Sequence, residues 1–579
     1  MRSAIHLLLA LLLAVLFPVL ALAQAADADD DDDDDAAPPA EEAAQQPLAK
    51  LPQQELSEQL LYSILLGEIA AQRGSPAAAA QTYLDLARQT RDPRIARRAV
   101  ELATFARSTE IALEAARVWH EADPESPQGL RTVTVLLVNA KRVDDAVPYI
   151  AKLLQGKEQA PGGFMQLGQL LGQNADKGAN LRVVRKLAEP YQQVPEAHFA
   201  IAQAAFAAND EALALLELTR ASSIRPGWDL AAIFEAQILR RRSPGEAIDR
   251  LGAFLDKYPT ARDARMNYAR LLVGEKRFPE ARTQFEKLLS LHKDDTEAIY
   301  GVGLLAMQAK DYATAEANLT RLLDLGFRDP NGLRFTLAQV AEEQKDWPRA
   351  IGWYDSIKRG EHAVPARMRT ANALAKQGKL DEARRYLQTV NAGEGERVQL
   401  QIAEAQLLRE AQRHRDAFDV LGKALESNPK QPDLMYDYAL TAEKLNRLDL
   451  LESNLRELIE LKPDHAHAYN ALGYSLADRN ERLSEARKLI EKAIELAPED
   501  YYIMDSMGWV LYRMGDLKGA AQQLRRAWKG RPDGEIGAHL GEVLWVLGER
   551  AEAEGIWREA LEASPESDTL QKTIERLKK

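Results

Sequence analysis

The C-terminal part of the chain repeats itself at an interval of 33 to 35 residues. Five prolines mark the interval: Pro429, Pro463, Pro498, Pro532 and Pro565. Alanine or leucine recurs 12 residues before each proline, at Ala417, Leu451, Ala486, Ala520 and Ala553, and five residues before it, at Ala424, Leu458, Ala493, Ala527 and Ala560. A unit of this length cannot bury its apolar face alone, so consecutive units must stack on one another.

Each unit has the pattern of two helices with a small residue at the centre of the first. That residue is Ala405, Ala439, Gly473, Gly508 or Gly541. Small side chains allow two antiparallel helices to approach closely, and proline fixes the turn that follows them. Aromatic residues make up only 6% of the chain, and alanine and leucine supply most of the apolar content. These features predict an all-α fold.

The motif resembles the tetratricopeptide repeat, whose pattern is Leu-Gly-x2-Tyr, Ala-x3-Phe and Pro over about 34 residues. This resemblance implies a solenoid of antiparallel helix pairs wound into a right-handed superhelix. Fainter copies continue upstream, so we expect about fifteen pairs over residues 56–566, with an irregular stretch near 155–193. The chain ends in "ESDTLQKTIERLKK", which begins at Glu566. This polar segment predicts a capping helix over residues 567–579.

The N-terminus has the pattern of a secretory signal peptide over residues 1–23. Arg2 precedes the apolar run "AIHLLLALLLAVLFPVLAL", and Ala21, Leu22 and Ala23 form a small-x-small cleavage site. Cleavage after Ala23 would deliver the chain to the periplasm, where it could associate with the envelope. The alternative is an uncleaved inner-membrane anchor, which the length of the apolar run leaves open.

An acidic leader rich in alanine and proline follows over residues 24–55, and we expect it to be disordered because its like charges repel one another. Calcium binding is the weaker interpretation, since the aspartate run contains no turn-forming glycine. The net charge of the chain is −13, of which residues 1–50 carry −8. The remaining body is nearly balanced, so composition gives no indication of a nucleic-acid partner.

The sequence offers no persuasive reaction centre. Cysteine is absent, which excludes disulfides, thiolate chemistry and a cysteine-linked lipid anchor. His465 and His467 lie two residues apart and would point to different faces of a helix. His539 has helical spacing to Glu535 and Glu542 but lacks a third ligand. We therefore predict a protein that is not an enzyme and has no metal or cofactor.

The resemblance implies that partners meet the first helix of each pair on the concave face of the solenoid. The corresponding residues here are His467, Asn470, Tyr474, Asp478, Tyr502, Asp505, Trp509, Tyr512, Arg513, Glu542 and Trp545. The segment "YYIMDSMGWVLYR" is unusually aromatic, and its core stripe is already filled by Met504, Met507, Gly508 and Leu511. Aromatic and arginine side chains are typical of protein-binding hot spots. The alternative is that Trp509 and Tyr512 fill gaps against the neighbouring repeat.

Residues 466–565 also resemble a narrower group, the LbcA-type adaptors of the proteobacterial envelope, which partner the carboxyl-terminal processing protease CtpA. That resemblance implies a periplasmic adaptor that binds other proteins or peptides, including a serine protease and its cell-wall hydrolase substrates. The chain departs from the group because it has no cysteine for a lipid anchor. The alternative function is a structural scaffold in envelope assembly, for polysaccharide export or pilus biogenesis.

Overall fold

The computed structural model describes residues 51–52, 54–155, 159–172 and 174–579. The predicted signal peptide and the aspartate run lie outside the described residues. In the described part there are 31 α-helices and no strand. None of these helices combines the length and the apolar character that a bilayer crossing requires.

The described helices fall into two compact units, one up to residue 318 and one from residue 319 onwards, and the boundary lies within one helix. The first unit holds α1 Glu58–Gln72, α2 Pro76–Thr90, α3 Pro93–Phe105, α4 Thr109–Ala122, α5 Pro127–Asn139, α6 Val143–Leu153, α7 Ala160–Leu171, α8 Lys177–Ala188, α9 Pro195–Ala207, α10 Glu211–Ile224, α11 Asp229–Arg242, α12 Pro244–Lys257, α13 Arg262–Gly274, α14 Phe278–Leu291, α15 Thr296–Gln308 and the start of α16 Tyr312–Asp324.

The second unit begins within α16. It continues with α17 Pro330–Glu343, α18 Trp347–Asp355, α19 Ala363–Lys376, α20 Leu380–Thr389, α21 Glu394–Glu410, α22 His414–Ser427, α23 Pro432–Lys444, α24 Leu448–Leu461, α25 Ala466–Asp478, α26 Leu483–Leu496, α27 Tyr501–Arg513, α28 Leu517–Gly530, α29 Gly534–Leu547, α30 Arg550–Ala563 and α31 Asp568–Lys578. The thirty helices α1 to α30 match the predicted fifteen pairs in number, and α31 follows the last of them. In the irregular stretch α7 and α8 pack on α9 rather than on one another.

The repeat register predicted from alanine, leucine and proline is confirmed in the second unit. All ten alanines and leucines of the two predicted series are 0% exposed. Each of the five prolines stands two residues beyond the end of a helix, as Pro463 does after Leu461. The small side chains therefore lie where the two helices of a pair cross, and the prolines stand in the turn before the next pair.

The glycines in the first helices of three pairs also lie at crossings. A Cβ atom added at Gly473 would lie 2.7 Å from Ile490 Cγ1, one at Gly508 would lie 2.4 Å from Leu524 Cγ, and one at Gly541 would lie 1.9 Å from Trp557 Nε1. Real Cβ atoms do not approach other atoms so closely. Glycine therefore allows each first helix to touch its partner helix along the backbone.

The turns inside the last five pairs share a second repeated feature. One residue of positive φ recurs at the same place in each of them: Gln412, Asn446, Asn480, Gly515 and Gly548. In each case the next residue donates its backbone N–H to a carbonyl five residues earlier, as Arg447 does to Ala442 at 2.9 Å. This is the Schellman arrangement that ends a helix in a left-handed residue. Because asparagine tolerates that conformation, a glycine pattern alone does not reveal it.

The stretch predicted to be irregular contains α7, α8 and a short 3-10 helix, Glu189–Tyr191. Two side-chain contacts stabilise this region. Asn174 Nδ2 donates to Asn180 Oδ1 at 2.8 Å, and the Tyr191 hydroxyl donates to the carbonyl of Leu154 at 2.9 Å. At the other end of the chain, Leu570 of α31 is fully buried in a cluster with Ala538 and Trp557. The closing helix thus covers the last helix pair.

Candidate protein-binding surfaces

The predicted binding residues lie on three consecutive first helices, α25, α27 and α29, but they differ widely in exposure. His467, Asp478 and Tyr502 are exposed; Asn470, Tyr474, Tyr512, Arg513 and Trp545 are half-buried; Asp505, Trp509 and Glu542 are buried. The exposed fractions are 41% for Tyr502 and 6% for Trp509. The predicted binding face of α25, α27 and α29 therefore contains both exposed and buried residues.

The indole of Trp509 joins α27 to the end of α25. Its Nε1 donates to Asp478 Oδ1 at 3.1 Å. Arg513 donates from Nε to the carbonyl of Ala477 at 3.1 Å and from its guanidinium to the carbonyl of Asp478, and it lies 5.5 Å from the Trp509 ring. Carbonyls in the last turn of a helix have no partner within the helix, and a cation there is favoured by the helix dipole. Trp509 and Arg513 together cap α25.

A buried histidine joins α29 to α27. His539 is 4% exposed, and its Nδ1 lies 2.8 Å from Asp505 Oδ2. The ring stacks on Trp509 with the centroids 4.2 Å apart, and Tyr474 lies at 6.1 Å. Burial alone would lower the pKa of His539, but the adjacent carboxylate of Asp505 outweighs this effect and the pKa is raised.

Glu542 joins α29 to two other helices. The Tyr512 hydroxyl of α27 donates to Glu542 Oε1 at 3.1 Å, and Arg576 of α31 pairs with Oε2 of the same carboxylate. Burial and the charge of Glu542 raise the pKa of Tyr512 to about 12, so the phenol remains a donor at neutral pH. The carboxylate of Glu542 is only 5% exposed and depends on these two partners for compensation.

These contacts correct the prediction that Trp509 and Asp505 lie on an accessible wall. Both side chains are covered because His539, from the next repeat, stacks on one and pairs with the other. The alternative interpretation, in which Trp509 packs against the neighbouring repeat, describes its position. Tyr512, by contrast, stays half-buried and polar at its tip.

The other predicted residues lie outside this cluster. His467 Nε2 is 3.9 Å from Asp500 Oδ2, and the guanidinium of Arg531 lies 4.7 Å from the ring of Tyr502. Trp545 packs on Trp557, with ring centroids 5.4 Å apart. Asn470 Oδ1 is buried and has no hydrogen-bond partner within the described part of the chain. No group of three or more histidine, aspartate and glutamate side chains in the described ranges could hold a metal ion.

The partners of His539 and Glu542 were not predicted from the sequence. Helical spacing relates His539 to Glu535 and Glu542 on the same helix, whereas the structure pairs it with Asp505 on the preceding first helix. The separation is 34 residues, one repeat. Residues of opposite charge that lie one repeat interval apart in the sequence could have indicated these contacts. Arg576 and Glu542 are a second such pair with the same separation.

A different accessible surface lies on the first described helix. Five large apolar side chains of α1 point away from α2. Their exposed fractions are 45% for Leu61, 66% for Tyr62, 52% for Leu65, 45% for Leu66 and 48% for Ile69. At these spacings they form one continuous stripe. We call this stripe the apolar face of α1; contiguous apolar surfaces of this kind mark sites of protein interaction.

The repeat register explains why this face is apolar. A Cβ added at Gly67 would meet Tyr83, 16 residues on, as one at Gly508 would meet Leu524, also 16 residues on. Aligning the two glycines places Tyr62, Leu66 and Ile69 at the positions of three α27 residues, Ile503, Met507 and Val510. Those three are buried, at 0%, 6% and 0% exposure. The apolar face of α1 thus has the residue types of an interface between successive repeats.

The repeated pairs, the crossing glycines and the turn geometry define a protein built from helix-pair repeats. Sequence models of the tetratricopeptide repeat match residues 239–302, 300–363, 402–450, 452–501 and 506–568. The chain belongs to the tetratricopeptide repeat family. It is 34% identical over 524 residues to the TPR repeat-containing protein PA4667 of Pseudomonas aeruginosa. The matched region covers 90% of this chain and 88% of that protein.

Solved tetratricopeptide structures also resemble the chain. Yeast Tom70 covers 78% of this chain and 94% of its own, with 16% identity and a TM-score of 0.35. The Cut9–Hcn1 hetero-tetramer structure covers 92% of this chain and 99% of that chain, with 14% identity and a TM-score of 0.32. The thermophilic TPR protein TTC0263 of Thermus thermophilus covers 31% of this chain, with 23% identity and a TM-score of 0.29.

Proposed function

We propose that the protein is a non-catalytic adaptor of the bacterial envelope that binds other proteins through its helix-pair array. The observation that carries this proposal is the apolar face of α1, where residues suited to a repeat interface are exposed. Tetratricopeptide proteins generally bind other proteins or peptides. A partner that lays an apolar surface, such as a helix, on α1 would cover the five exposed side chains.

The finer part of the proposal names the partner and the compartment. The sequence of residues 466–565 resembles the LbcA-type adaptors. This resemblance supports a periplasmic carboxyl-terminal processing protease as one partner and cell-wall hydrolases as the proteins presented to it. The signal-peptide pattern of residues 1–23 supports export. The second candidate function, a structural scaffold in envelope assembly, uses the same array with different partners.

The test is a binding experiment with the full chain and the carboxyl-terminal processing protease of the same bacterium. The variant carries Leu65→Glu and Ile69→Glu, which place two charges on the apolar face of α1. The control carries Gln89→Glu and Gln128→Glu, which add the same two charges at exposed positions of the first unit. We expect the variant to weaken capture by at least about tenfold, roughly 1.4 kcal/mol, and the control to bind normally.

The outcomes separate the two levels of the proposal. If the protease binds the wild type and the variant equally, α1 is not the docking surface. If the protease does not bind at all, the protease assignment fails. In that case, capture of polysaccharide-export or pilus components that the α1 variant abolishes would support the scaffold function instead. A circular dichroism melt of the variant must match the wild type, because all five side chains are exposed.

A further inference from the structure

The last two helix pairs are joined by ionisable side chains that are buried rather than solvated. Asp505 of α27 and His539 of α29 are each 4% exposed, and they face one another across the boundary between successive repeats. Buried ionisable groups are costly unless they compensate one another, so this boundary depends on charge more than an apolar boundary would.

The surroundings of the pair make the imidazole the group that responds to pH. The charged and titratable groups that face it are Asp505, Tyr512 and Arg513 from α27, Tyr474 and Asp478 from α25, Glu535 and Glu542 from α29, Arg576 from α31 through Glu542, and Lys444 of α23 through Glu535. Arg576 and Arg513 are committed to Glu542 and to the end of α25. The protonated imidazole is therefore the direct counter-charge of Asp505.

We propose that Asp505 and His539 form a pH-sensitive clasp that holds the last helix pair, α29 and α30, together with α31, onto α27. In the protonated state the imidazolium compensates the buried carboxylate and stacks on Trp509. In the neutral state the hydrogen bond can persist, but the carboxylate of Asp505 then lies buried near Glu535 without a direct cation. The terminal pair is consequently held more weakly, and the ring of His539 leaves Trp509 uncovered more often.

The sign of the effect follows from the raised pKa of His539, in which the charge of Asp505 outweighs burial. A group whose pKa is higher in the folded state stabilises that state in full below its unfolded pKa, about 6.5 for histidine. The stabilisation is lost as the pH rises through the folded pKa. The clasp is thus closed in mildly acidic solution and loosens at higher pH.

The experiment is amide hydrogen exchange of the full chain, followed by mass spectrometry between pH 5 and 9 and corrected for the intrinsic pH dependence of exchange. We expect exchange in residues 534–578 to rise several-fold across the upper part of this range, while residues 466–496 change little. Asp505→Asn and His539→Gln should each remove the pH-dependent rise. His292→Gln, at an exposed histidine in the other unit, should leave it unchanged.

A second readout protects the test against variants that fail to fold. Exchange of the imidazole C2 hydrogen, measured on the wild type, reports the titration of each histidine separately. We expect His539 to titrate at a higher pH than free histidine. Titration of His539 at or below the value of free histidine would overturn the proposal, as would a folded Asp505→Asn variant that keeps the pH-dependent rise.

Discussion

Gly541 of α29 lies directly against the indole of Trp557 in α30, so closely that a Cβ atom at position 541 would stand 1.9 Å from Nε1. Trp557 is 2% exposed and cannot swing away into solvent. The last helix pair therefore requires glycine at this position for a reason of space, although its helical backbone is open to any residue.

The first prediction follows from this contact. Gly541→Ala should destabilise the protein by about 1–3 kcal/mol, because the added methyl group overpacks the crossing. Gly555→Ala is the matched control: Gly555 also lies inside a helix, and nothing stands within 4 Å of its Cβ position. The control should gain up to about 1 kcal/mol from helix propensity. Urea titration measures both; equal midpoints would show that the crossing is not tight.

The second prediction concerns the alanines of the second helices. Ala486→Leu and Ala520→Leu should each cost about 1–3 kcal/mol, since both alanines are 0% exposed at helix crossings. Ala551→Leu places the same side chain at an exposed position of α30 and should be close to neutral. Thermal melts of the three variants decide the matter. A variant of Ala486 that melts like the parent would contradict the repeat register.

The third prediction revises the role of the aromatic residues in α27. Trp509→Ala should destabilise the second unit by about 3–5 kcal/mol, because the indole is buried and carries contacts to Asp478 and His539. Tyr502→Ala, at 41% exposure, should have a much smaller effect on stability. Circular dichroism melts measure the difference. Comparable losses from the two substitutions would mean that Trp509 has no special structural role.

The fourth prediction concerns acid stability. Hydrogen bonds from Arg482 and Arg456 lower the pKa of Glu452 to about 2. A lowered pKa stabilises the folded state above the unfolded value of about 4.3, and that contribution is lost as the pH falls towards 2. Glu452 is half-buried, but both arginines are more than 40% exposed and solvent screens the pairs, so Glu452→Gln should cost about 1 kcal/mol at neutral pH.

The pH profile carries the sharper test for Glu452. The loss caused by Glu452→Gln should shrink between pH 4.3 and 2, because the wild type also loses its ionised carboxylate there. Glu460→Gln, on an exposed part of the same helix, should follow the wild type throughout. A difference between Glu452→Gln and wild type that stays constant with pH would contradict the assignment.

The helix pairs were predictable because their signals are local and repeated. Ala486 and Ala520 recur at the repeat interval because every crossing has the same shortage of space, and a single sequence displays that regularity. The cross-repeat partners of Trp509 and His539 were harder to predict. Which side chain covers a position on the concave face depends on the next first helix, about 30 residues later. Residue types alone do not show whether such a position is exposed for binding or packed between repeats.

The apolar face of α1 was missed for a related reason. Its leucines look like core residues, and the burial of a first helix depends on what precedes it. The signal that could have found it is a comparison in register, which aligns Tyr62 and Leu66 of α1 with the buried residues Ile503 and Met507.

The two ends of the described helix array differ in surface chemistry, so a further repeat could be added more readily at one end than at the other. α31 presents charged residues beyond the last pair, whereas α1 keeps the residue types of a joint between repeats. A duplicated or designed repeat inserted ahead of α1 would find a surface already shaped to receive it. The same repeat added after Lys579 would meet a polar helix and would first require its removal. Gain and loss of repeats during evolution should therefore be easier at the α1 end than at the α31 end.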